Sequence, residues 1–331
     1  MSGNAVHGPA INAPLDSLTA RPAGQPAVDA DAATAAERRT RAASRRRAVL
    51  MILGAAAVFS IAGALVKGLG GELPLAQVVL CRNLFAIPAL LPLLWQAGGL
   101  GALRARRPWL HVFRMVTGLT GMVGAFYGYA VLPFAMVTAL GFTMPLFLTL
   151  LSVPLLGERV GARRGAAVLA GFGGVLLMAM PGGGGEAHLA GVLMVLLGAV
   201  AWALSMITIR RMGDAGESNA TIVLWFALGA TLVSGLASLP VWVAPTPVQW
   251  LMLVGTGVVS ALAQVMMTEA YRRGEATLLA PFEYSAILWT TGLGVVVWGE
   301  LPDGWDAAGI AVLVASGLYI WYREVTLGLK R

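Results

Sequence analysis

The feature that most constrains this chain is an apolar stretch of thirty residues that occurs twice, 142 positions apart. Residues 129–158 read YAVLPFAMVTALGFTMPLFLTLLSVPLLGE, and residues 271–300 read YRRGEATLLAPFEYSAILWTTGLGVVVWGE. Seven of the thirty aligned pairs are identical, and both copies begin with Tyr and end with Gly-Glu. Chance similarity between apolar segments explains a few shared Leu and Val, but not the shared ends. We therefore interpret the two stretches as parts of an internal duplication.

The composition is that of a membrane protein. Hydrophobic residues make up 58% of the chain and charged residues 12%, with a mean hydropathy of +0.77. Soluble domains are about half apolar and a quarter charged. A β-barrel does not fit, because the apolar runs are continuous and do not alternate with polar residues. The net charge of +7 falls between the apolar runs, which is typical of membrane orientation and not of nucleic-acid binding.

Ten hydrophobic segments follow the N-terminal region, each near the ~20 residues that a bilayer requires. Their short connections contain Gly, Pro and charged residues, which suits an antiparallel helical bundle. The sequence therefore predicts an all-α integral membrane protein with ten transmembrane helices. We number the segments 1 to 10 in chain order: 48–68, 74–97, 109–131, 134–156, 163–181, 188–209, 219–243, 247–270, 276–298 and 305–322.

Basic residues concentrate on alternate connections, which predicts the orientation. With the N-terminus in the cytoplasm, Lys67 is the one Lys or Arg near the outer ends of the segments. Both termini are then predicted to lie in the cytoplasm, and the protein to lie in the inner membrane of the cell. The predicted inner basic residues are Arg104, Arg106, Arg107, Arg159, Arg163, Arg164, Arg210, Arg211, Arg272, Arg273, Arg323, Lys330 and Arg331.

The duplication divides the ten segments into two halves of five. Because five is odd, the second half enters the membrane from the opposite side, which predicts an inverted-topology repeat. Residues 47–182 form the first repeat and 188–323 the second. Residues 1–46 lack an apolar run and are predicted to be a disordered cytoplasmic tail, and 324–331 a cytoplasmic C-terminus.

Ten helices in two halves, with a Gly-Glu closing the fourth helix of each half, resemble the drug/metabolite transporter superfamily, EamA type. Arg82 in VVLCRNLFA is similar to the arginine that this family often carries in its second helix. The second half departs from the pattern, since Ile287 stands opposite Pro145 and segment 7 has no counterpart of Arg82.

The resemblance implies a secondary transporter that works by alternating access, in either direction. Its solute would be a small organic metabolite: an amino acid, a nucleoside-like cofactor such as S-adenosylmethionine, or a vitamin such as riboflavin. Both proton coupling and exchange stay open. A drug or metabolite efflux carrier of broad specificity is the alternative.

Ionisable residues inside the segments cost about 2.5–3.5 kcal/mol each at mid-bilayer, so each is a functional candidate. For Arg114, a side chain that reaches the membrane interface is the simpler explanation. Arg82 lies deeper, and structural pairing and substrate contact both stay open for it. Glu269 lies within a turn of Arg272, so a local ion pair is the simpler explanation. Glu283 lies about two turns inside segment 9 and would bind a proton or a cationic substrate, unless it is a hydrogen-bonded structural residue.

Aromatic and polar residues in segments 3, 4, 6, 8 and 9 suggest the wall of a central pocket. They are Tyr127, Thr138, Thr143, Trp202, Ser205, Gln264, Glu283, Tyr284 and Trp289. Glu158 and Glu300 close the two repeated stretches, where gating and simple solvation both stay open. Four glycines at helical spacing in segment 3 predict close helix packing: Gly118, Gly121, Gly124 and Gly128.

Enzymatic functions find little support in the sequence. The single cysteine, Cys81, excludes a disulfide framework and a multi-Cys zinc site. No histidine lies centrally in a segment, as an intramembrane protease dyad would need. We expect no enzyme activity, cofactor or metal, and as partners a small-molecule substrate and the lipid bilayer, but no nucleic acid. A channel or scaffold and a homodimer stay open.

Overall fold

The computed structural model describes residues 27–156, 162–179, 185–273 and 276–327. The secondary structure of these residues is helical, and no strand occurs among them. Short 3₁₀ turns cover Gly99–Leu103 and Leu239–Val241, and a π-helical turn covers Gly294–Trp298. The α-helices are α1 (Ala27–Gly68), α2 (Leu75–Leu84), α3 (Ile87–Gln96), α4 (Pro108–Val131), α5 (Phe134–Gly141), α6 (Met144–Leu156), α7 (Ala162–Ala179), α8 (Gly185–Asp214), α9 (Asn219–Ser238), α10 (Pro247–Arg273), α11 (Ala276–Glu283), α12 (Ser285–Leu293) and α13 (Gly304–Leu327).

The chain divides into two units, Met1–Arg45 and Arg46–Arg331. In the first unit, α1 begins at Ala27, within the stretch that the sequence predicts to be a disordered tail. The stretch is rich in Ala and Arg, which are among the best helix formers, so helix propensity accounts for this difference. Residues 1–26 lie outside the described residues. The packing below belongs to the second unit.

Each of the ten predicted segments coincides with helix in the structure, although segments 2, 4 and 9 are each divided. Within the described ranges, seven helices are long and apolar enough to cross a membrane: Arg46–Gly68, Leu75–Gln96, Phe134–Leu151, His188–Asp214, Ala220–Val241, Pro247–Met267 and Gly304–Arg323. A shorter apolar helix covers Gly165–Met178. The prediction of a multi-pass α-helical membrane protein is confirmed, whereas the count of ten crossings stays a prediction.

Glycines allow α4 and α8 to pack backbone against backbone. A Cβ added at Gly121 would lie 3.3 Å from the carbonyl oxygen of Gly198, and one at Gly124 would lie 3.0 Å from the Gly198 Cα. Further along α4, Gly128 lies against Val195. Residue numbers rise along α4 and fall along α8, so the two helices are antiparallel. The predicted packing role of this glycine face is confirmed at these three positions.

The helix pairs follow the duplication. Helices α4 and α8, from segments 3 and 6, pack together, and so do their repeat counterparts α10 and α1, where Gly54 meets Met266. The pairs α2 with α9, α5 with α12, and α7 with α13 each join two equivalent segments. An operation that exchanges the two repeats therefore maps each of these five pairs onto itself or onto another of the five, as a two-fold axis requires.

The relative directions of the helices show that the repeats are inverted. The C-terminal ends of α1 and α4 meet, because Lys67 Nζ donates a hydrogen bond to the carbonyl oxygen of Leu132 at 2.9 Å. Helices α1 and α4 are thus parallel, and α4 is antiparallel to α8. Helix α8 therefore runs opposite to α1, its counterpart in the first repeat, which is the arrangement of an inverted repeat.

The tight α4–α8 contact gives a first prediction. A Cβ at Gly124 would collide with the carbonyl oxygen of Met194, which is backbone and cannot move aside cheaply. We expect Gly124→Ala to lower the free energy of unfolding by about 1–3 kcal/mol in mild detergent. Gly173→Ala is the control, because a Cβ there meets open space. It should leave stability unchanged or raise it by up to about 1 kcal/mol. Equal effects of the two variants would contradict the packing described here.

Candidate functional site

Two of the divided segments break at equivalent positions of the repeat. Segment 4 breaks between α5 and α6, and segment 9 breaks between α11 and α12. The residues at the breaks, Phe142 and Tyr284, are 142 positions apart, which is the offset of the duplication. A proline lies near each break, Pro145 in the first turn of α6 and Pro281 inside α11. Proline removes a helical hydrogen bond, so it favours an interruption at these points.

Phe142 and Tyr284 stack on one another at the breaks. Their ring centroids are 4.6 Å apart and the ring planes differ by 30°. Residues that are equivalent in two repeats and contact each other lie beside the two-fold axis that relates the repeats. The Tyr284 hydroxyl also packs tightly against Gly317 of α13. The broken helices therefore cross at the centre of the two-fold arrangement.

A buried ion pair joins several chain segments at one end of the bundle. Lys67, at the end of α1, lies 2.8 Å from a carboxylate oxygen of Glu300, which follows the π-helical turn. The ammonium also donates to the Leu132 carbonyl at the end of α4, and Glu300 Oε2 accepts from the Phe134 N–H at the start of α5 at 2.9 Å. Each charge thus lies at the helix end whose dipole favours it.

Aromatic rings cover this ion pair. The Trp298 ring centroid is 5.4 Å from Lys67 Nζ and 5.8 Å from the Phe134 ring, which it meets edge-on. The side chain of Lys67 is only 9% exposed. The Glu300 side chain is 27% exposed, so the buried charge that needs its partner is the ammonium of Lys67, and removing Glu300 would leave that ammonium without compensation. We call Lys67, Leu132, Phe134, Trp298 and Glu300 the Lys67–Glu300 cluster.

Beyond the crossing, the two broken helices lie against different neighbours. Helix α6 packs on α8, where Arg211 Nη2 donates to the carbonyl oxygen of Leu155 at 2.6 Å. Helix α11 instead joins an apolar cluster with α1 and α10. The buried members of that cluster are Ala48, Ile52, Ala270 and Leu279. By contrast, α5 and α12 pack against each other on the side of the Lys67–Glu300 cluster.

Three of the predicted pocket residues lie at or beside the crossing. Tyr284 forms the stack with Phe142, and Thr143 is fully buried with its hydroxyl donating to the Leu140 carbonyl at 2.6 Å. The same carbonyl also accepts from the Thr143 N–H at 3.0 Å, so the hydroxyl adds a second hydrogen bond at the helix break. Glu283 precedes the stack directly and is partly buried.

The other predicted residues are spread over several helices. Trp202 and Trp289 are about half exposed on the surfaces of α8 and α12, whereas Ser205 is only 1% exposed. Tyr127, Gln264 and Glu269 are partly buried. Among the described residues, no ring contact links the two tryptophans to the crossing.

The predicted arginines make few polar contacts with the described residues. Arg82 Nη1 lies 3.3 Å from the side-chain oxygen of Asn83, a weak local hydrogen bond. The Arg114 guanidinium lies over the Phe226 ring, 4.4 Å from its centroid, in space that Gly118 leaves free. Its Nε and Nη1 atoms are buried and have no hydrogen-bond partner among the described residues. A cation–π contact gives about 0.5–2 kcal/mol, which does not offset the insertion cost of an arginine together with its unpaired donors.

A buried carboxylate holds the opposite end of α4. Glu217 Oε1 accepts hydrogen bonds from the backbone N–H groups of Arg106 at 2.6 Å and Arg107 at 2.9 Å. His111 Nε2 lies 3.4 Å from the same oxygen. Burial by itself raises the pKa of the Glu217 carboxyl, but these hydrogen bonds and His111 outweigh it, and the pKa is lowered. Glu217 thus anchors the α8–α9 turn to the start of α4.

An apolar cleft of about 260 Å³ lies between α2, α4, α8 and α9. Its two hydroxyl groups, from Thr120 and Ser234, donate to carbonyl oxygens of their own helices. Among the described residues, no group of three His, Cys, Asp or Glu side chains is placed to hold a metal ion. The cleft is lined by Ala76, Val79, Leu119, Thr120, Val123, Met194, Val233, Ser234 and Ala237.

From the sequence, Glu300 is either a gating residue or simply a solvated one, and Lys67 is the exception to the charge pattern. Their pairing was not predicted. The signal was present, because an isolated lysine near the outer ends needs a counter-charge and Glu300 closes the repeated stretch on that side. Glu158, the counterpart of Glu300, lies outside the described residues.

The inverted repeats and the paired broken helices define a class of multi-pass α-helical membrane carriers. The sequence profile of the EamA-like transporter family matches this chain twice, at residues 46–180 and 189–322. The chain therefore belongs to the EamA-like transporter family, whose members belong to the drug/metabolite transporter superfamily, and it is a membrane transporter of small metabolites.

Similar proteins include transporters of different solutes. A riboflavin transporter of Rhizobium johnstonii is 30% identical over 73% of this chain and 78% of its own length. The pseudopaline exporter of Pseudomonas aeruginosa is 32% identical over 81% and 93%, respectively. An S-adenosylmethionine uptake transporter of Rickettsia prowazekii is 26% identical over 80% and 89%. A solved crystal structure of a 23% identical protein superposes with a TM-score of 0.60, covering 86% of this chain and 99% of that one, and so shares the fold.

The Glu217 anchor gives a pH-dependent prediction. A lowered pKa means that the folded protein favours the charged carboxylate, so this contribution to stability is present above the unfolded pKa, about 4.3 for Glu. It is lost as the pH falls through the folded pKa. We expect Glu217→Gln to lower the free energy of unfolding by about 1–2 kcal/mol at pH 7. Thermal unfolding from pH 7 to pH 3 should show the gap to wild type closing below about pH 4.

Asp214→Asn is the matched control, because Asp214 is an exposed acidic residue at the end of α8. Its stability should follow wild type at every pH. A Glu217→Gln deficit of the same size at pH 3 and pH 7 would contradict the role of the charge.

Proposed function

We propose that this chain is a secondary carrier of the inner membrane that moves a small organic metabolite by alternating access, with both termini in the cytoplasm. The observation that supports this most directly is the crossing of two equivalent broken helices at the Phe142–Tyr284 stack. A pair of inverted repeats that meet at such an axis has two related arrangements, one open to each side of the membrane.

The distribution of charge supports the orientation. Helix α4 runs from an end that carries Arg104, Arg106 and Arg107 to the end at the Lys67–Glu300 cluster. Arg211 lies near the basic end of α4, because α8 is antiparallel to it. Positive charge marks the cytoplasmic side of membrane proteins, so the Lys67–Glu300 cluster would face outward.

The packing of the broken helices supports a conformation that is closed on the outer side. Helices α5 and α12 meet there, and the Lys67–Glu300 cluster ties their ends to α1 and α4. On the cytoplasmic side, α6 and α11 lie against different neighbours. The substrate would then enter or leave from the cytoplasm in this conformation, near Ser205, Glu283 and Tyr284.

The solute class is supported by the relatives and not by a described pocket. Three similar proteins are named for their substrates: a riboflavin transporter, an S-adenosylmethionine uptake transporter and a pseudopaline exporter. The 32% identity to an exporter supports a second candidate function, in which the protein moves its solute out of the cell.

Counterflow in proteoliposomes tests the carrier proposal. Purified protein would be reconstituted in vesicles preloaded with unlabelled riboflavin, S-adenosylmethionine or an amino-acid mixture, and the matching labelled solute added outside. A carrier exchanges the two and transiently concentrates the label, whereas a channel only equilibrates it. Equilibration without overshoot for every transported solute would reject the carrier in favour of a channel.

The Lys67–Glu300 cluster predicts how the outer side opens. Glu300→Gln removes the counter-charge of a buried ammonium, which destabilises the closed arrangement. In a Cys81→Ser background, which is free of cysteine, Thr138→Cys behind the cluster would report access from outside. We expect Glu300→Gln to raise its labelling by a membrane-impermeant maleimide about tenfold or more in right-side-out vesicles.

Glu72→Gln is the control, because Glu72 is exposed at the same end and its carboxylate accepts from Gln249 at 2.6 Å. It should leave the labelling rate unchanged. Fast labelling in the parent protein, or no increase with Glu300→Gln, would show that the cluster does not close the outer side.

Glu283 predicts the coupling. We expect Glu283→Gln to remove the pH dependence of transport between pH 5 and 8, because the residue next to the crossing would no longer exchange a proton. Initial rates in proteoliposomes with a controlled pH difference measure this. Glu269→Gln, near the cytoplasmic end of α10, is the control and should keep the wild-type profile. A wild-type pH profile in Glu283→Gln would reject a role of Glu283 in proton coupling.

A further inference from the structure

The faces of α4 and α8 that touch through glycine continue toward the cytoplasmic end as polar faces. On α4, Arg114 lies seven residues before Gly121, on the same side of the helix, and its guanidinium lies over Phe226 of α9. On α8, Gly198 is followed by Trp202 and then Ser205, and a Cβ added at Gly121 lies 3.5 Å from the Trp202 Cβ. Because the helices are antiparallel, Arg114 and Ser205 belong to the same interface at a similar depth.

Both residues carry buried polar atoms that the described residues leave without a partner. The Ser205 hydroxyl is one, in a residue only 1% exposed. The Nε and Nη1 atoms of Arg114 are the others, with three N–H donors between them. Buried polar groups in native proteins are almost always hydrogen-bonded. Unsatisfied groups on two neighbouring helices, at a similar depth, therefore indicate a ligand that supplies acceptors.

Charge and depth narrow the chemistry of that ligand. Arg114 is the seventh residue of α4, so it lies about 9 Å along the helix from Pro108 and is not at its end. A guanidinium stays charged in proteins, and its contact with the Phe226 ring holds it in place without supplying an acceptor. Carboxylates and phosphates are the groups that bind guanidinium most strongly.

We propose that Arg114 and Ser205, with Phe226 as the platform, form a subsite for the anionic group, carboxylate or phosphate, of the transported solute. The proposal rests on the proposed carrier function and restricts its substrate to organic anions or zwitterions. The Arg114 N–H groups and the Ser205 hydroxyl would donate to the same anionic oxygens.

Pairs of aromatic probes, one member with an anionic group and the other neutral, test the subsite by binding alone. Full-length protein in a neutral detergent would be titrated with benzoate against benzamide, and with phenyl phosphate against phenol, following the unfolding temperature. We expect at least one anion to bind wild type tenfold or more tightly than its neutral partner. Arg114→Gln should weaken that anion about 10- to 100-fold and leave the neutral probes unchanged.

Two further variants test the geometry. Gly118→Ala would push its Cβ into the Arg114 Nη1 atom, and so should weaken the anion as Arg114→Gln does, without removing a charge. Gly165→Ala is its control, because a Cβ there meets open space. Ser205→Ala should weaken the anion less, by about 3- to 10-fold, and its effect should shrink in the Arg114→Gln background. Arg104→Gln, an exposed arginine, should bind all probes as wild type does.

The outcomes separate the subsite from the carrier. Equal binding of charged and neutral probes, or an anion preference that survives Arg114→Gln, overturns the subsite while counterflow still stands. A lipid headgroup is the other possible source of the anion. If the protein is stabilised through Arg114 only in vesicles that contain phosphatidylglycerol, and not in phosphatidylcholine vesicles, the anion is a lipid headgroup and the assignment to the solute is wrong. Anion binding that depends on Arg114 in a protein without counterflow would uphold the site and reject the carrier function.

Discussion

The stack of Phe142 on Tyr284 is the contact on which the rest of this structure depends. It joins two residues that the duplication makes equivalent, at the points where two helices break. Continuous helices would satisfy every backbone hydrogen bond in lipid, so a break is tolerated only where protein surrounds it and satisfies the freed groups. At the first break, the N–H and the hydroxyl of Thr143 both donate to the Leu140 carbonyl. The breaks are therefore paired, packed and central, and the helix halves on either side can lie against different partners.

Three buried charges in this protein differ in how they are compensated, and the difference separates structure from function. Lys67 has a carboxylate and a carbonyl acceptor, and Glu217 has two backbone donors and a histidine. Their desolvation is offset within the protein, so they fix the two ends of α4. The Arg114 guanidinium lies on an aromatic ring, which offsets a fraction of its desolvation cost, and its Nε and Nη1 atoms have no hydrogen-bond partner among the described residues. A charge that the fold leaves uncompensated is the kind of group that a ligand completes.

The sequence was sufficient to predict the helical membrane architecture, because apolar runs of bilayer length and a repeated stretch follow directly from the order of residues. Pro145 and Pro281 are the sequence signals for the helix breaks at Phe142 and Tyr284. The partners of Lys67 and Glu217 were not predictable, since they lie on helices distant in sequence and their geometry depends on the complete packing. For the same reason the sequence does not distinguish two kinds of predicted pocket residue. The Thr143 hydroxyl donates to a backbone carbonyl at a helix break, whereas the buried Ser205 hydroxyl has no acceptor among the described residues.

The two repeats share their backbone but differ in the residues at their central contacts. Gly198 meets Gly124 in the α4–α8 pair, while its counterpart Gly54 meets Met266 in the α1–α10 pair. The position equivalent to Arg114 is Thr256, whose hydroxyl bonds to its own helix at the Met252 carbonyl. A carrier needs two related conformations, which a symmetric scaffold supplies, but a solute without symmetry needs unlike groups around it. Symmetry in the helix pairs and in the Phe142–Tyr284 stack, together with asymmetry in the side chains at the other central contacts, satisfies both requirements.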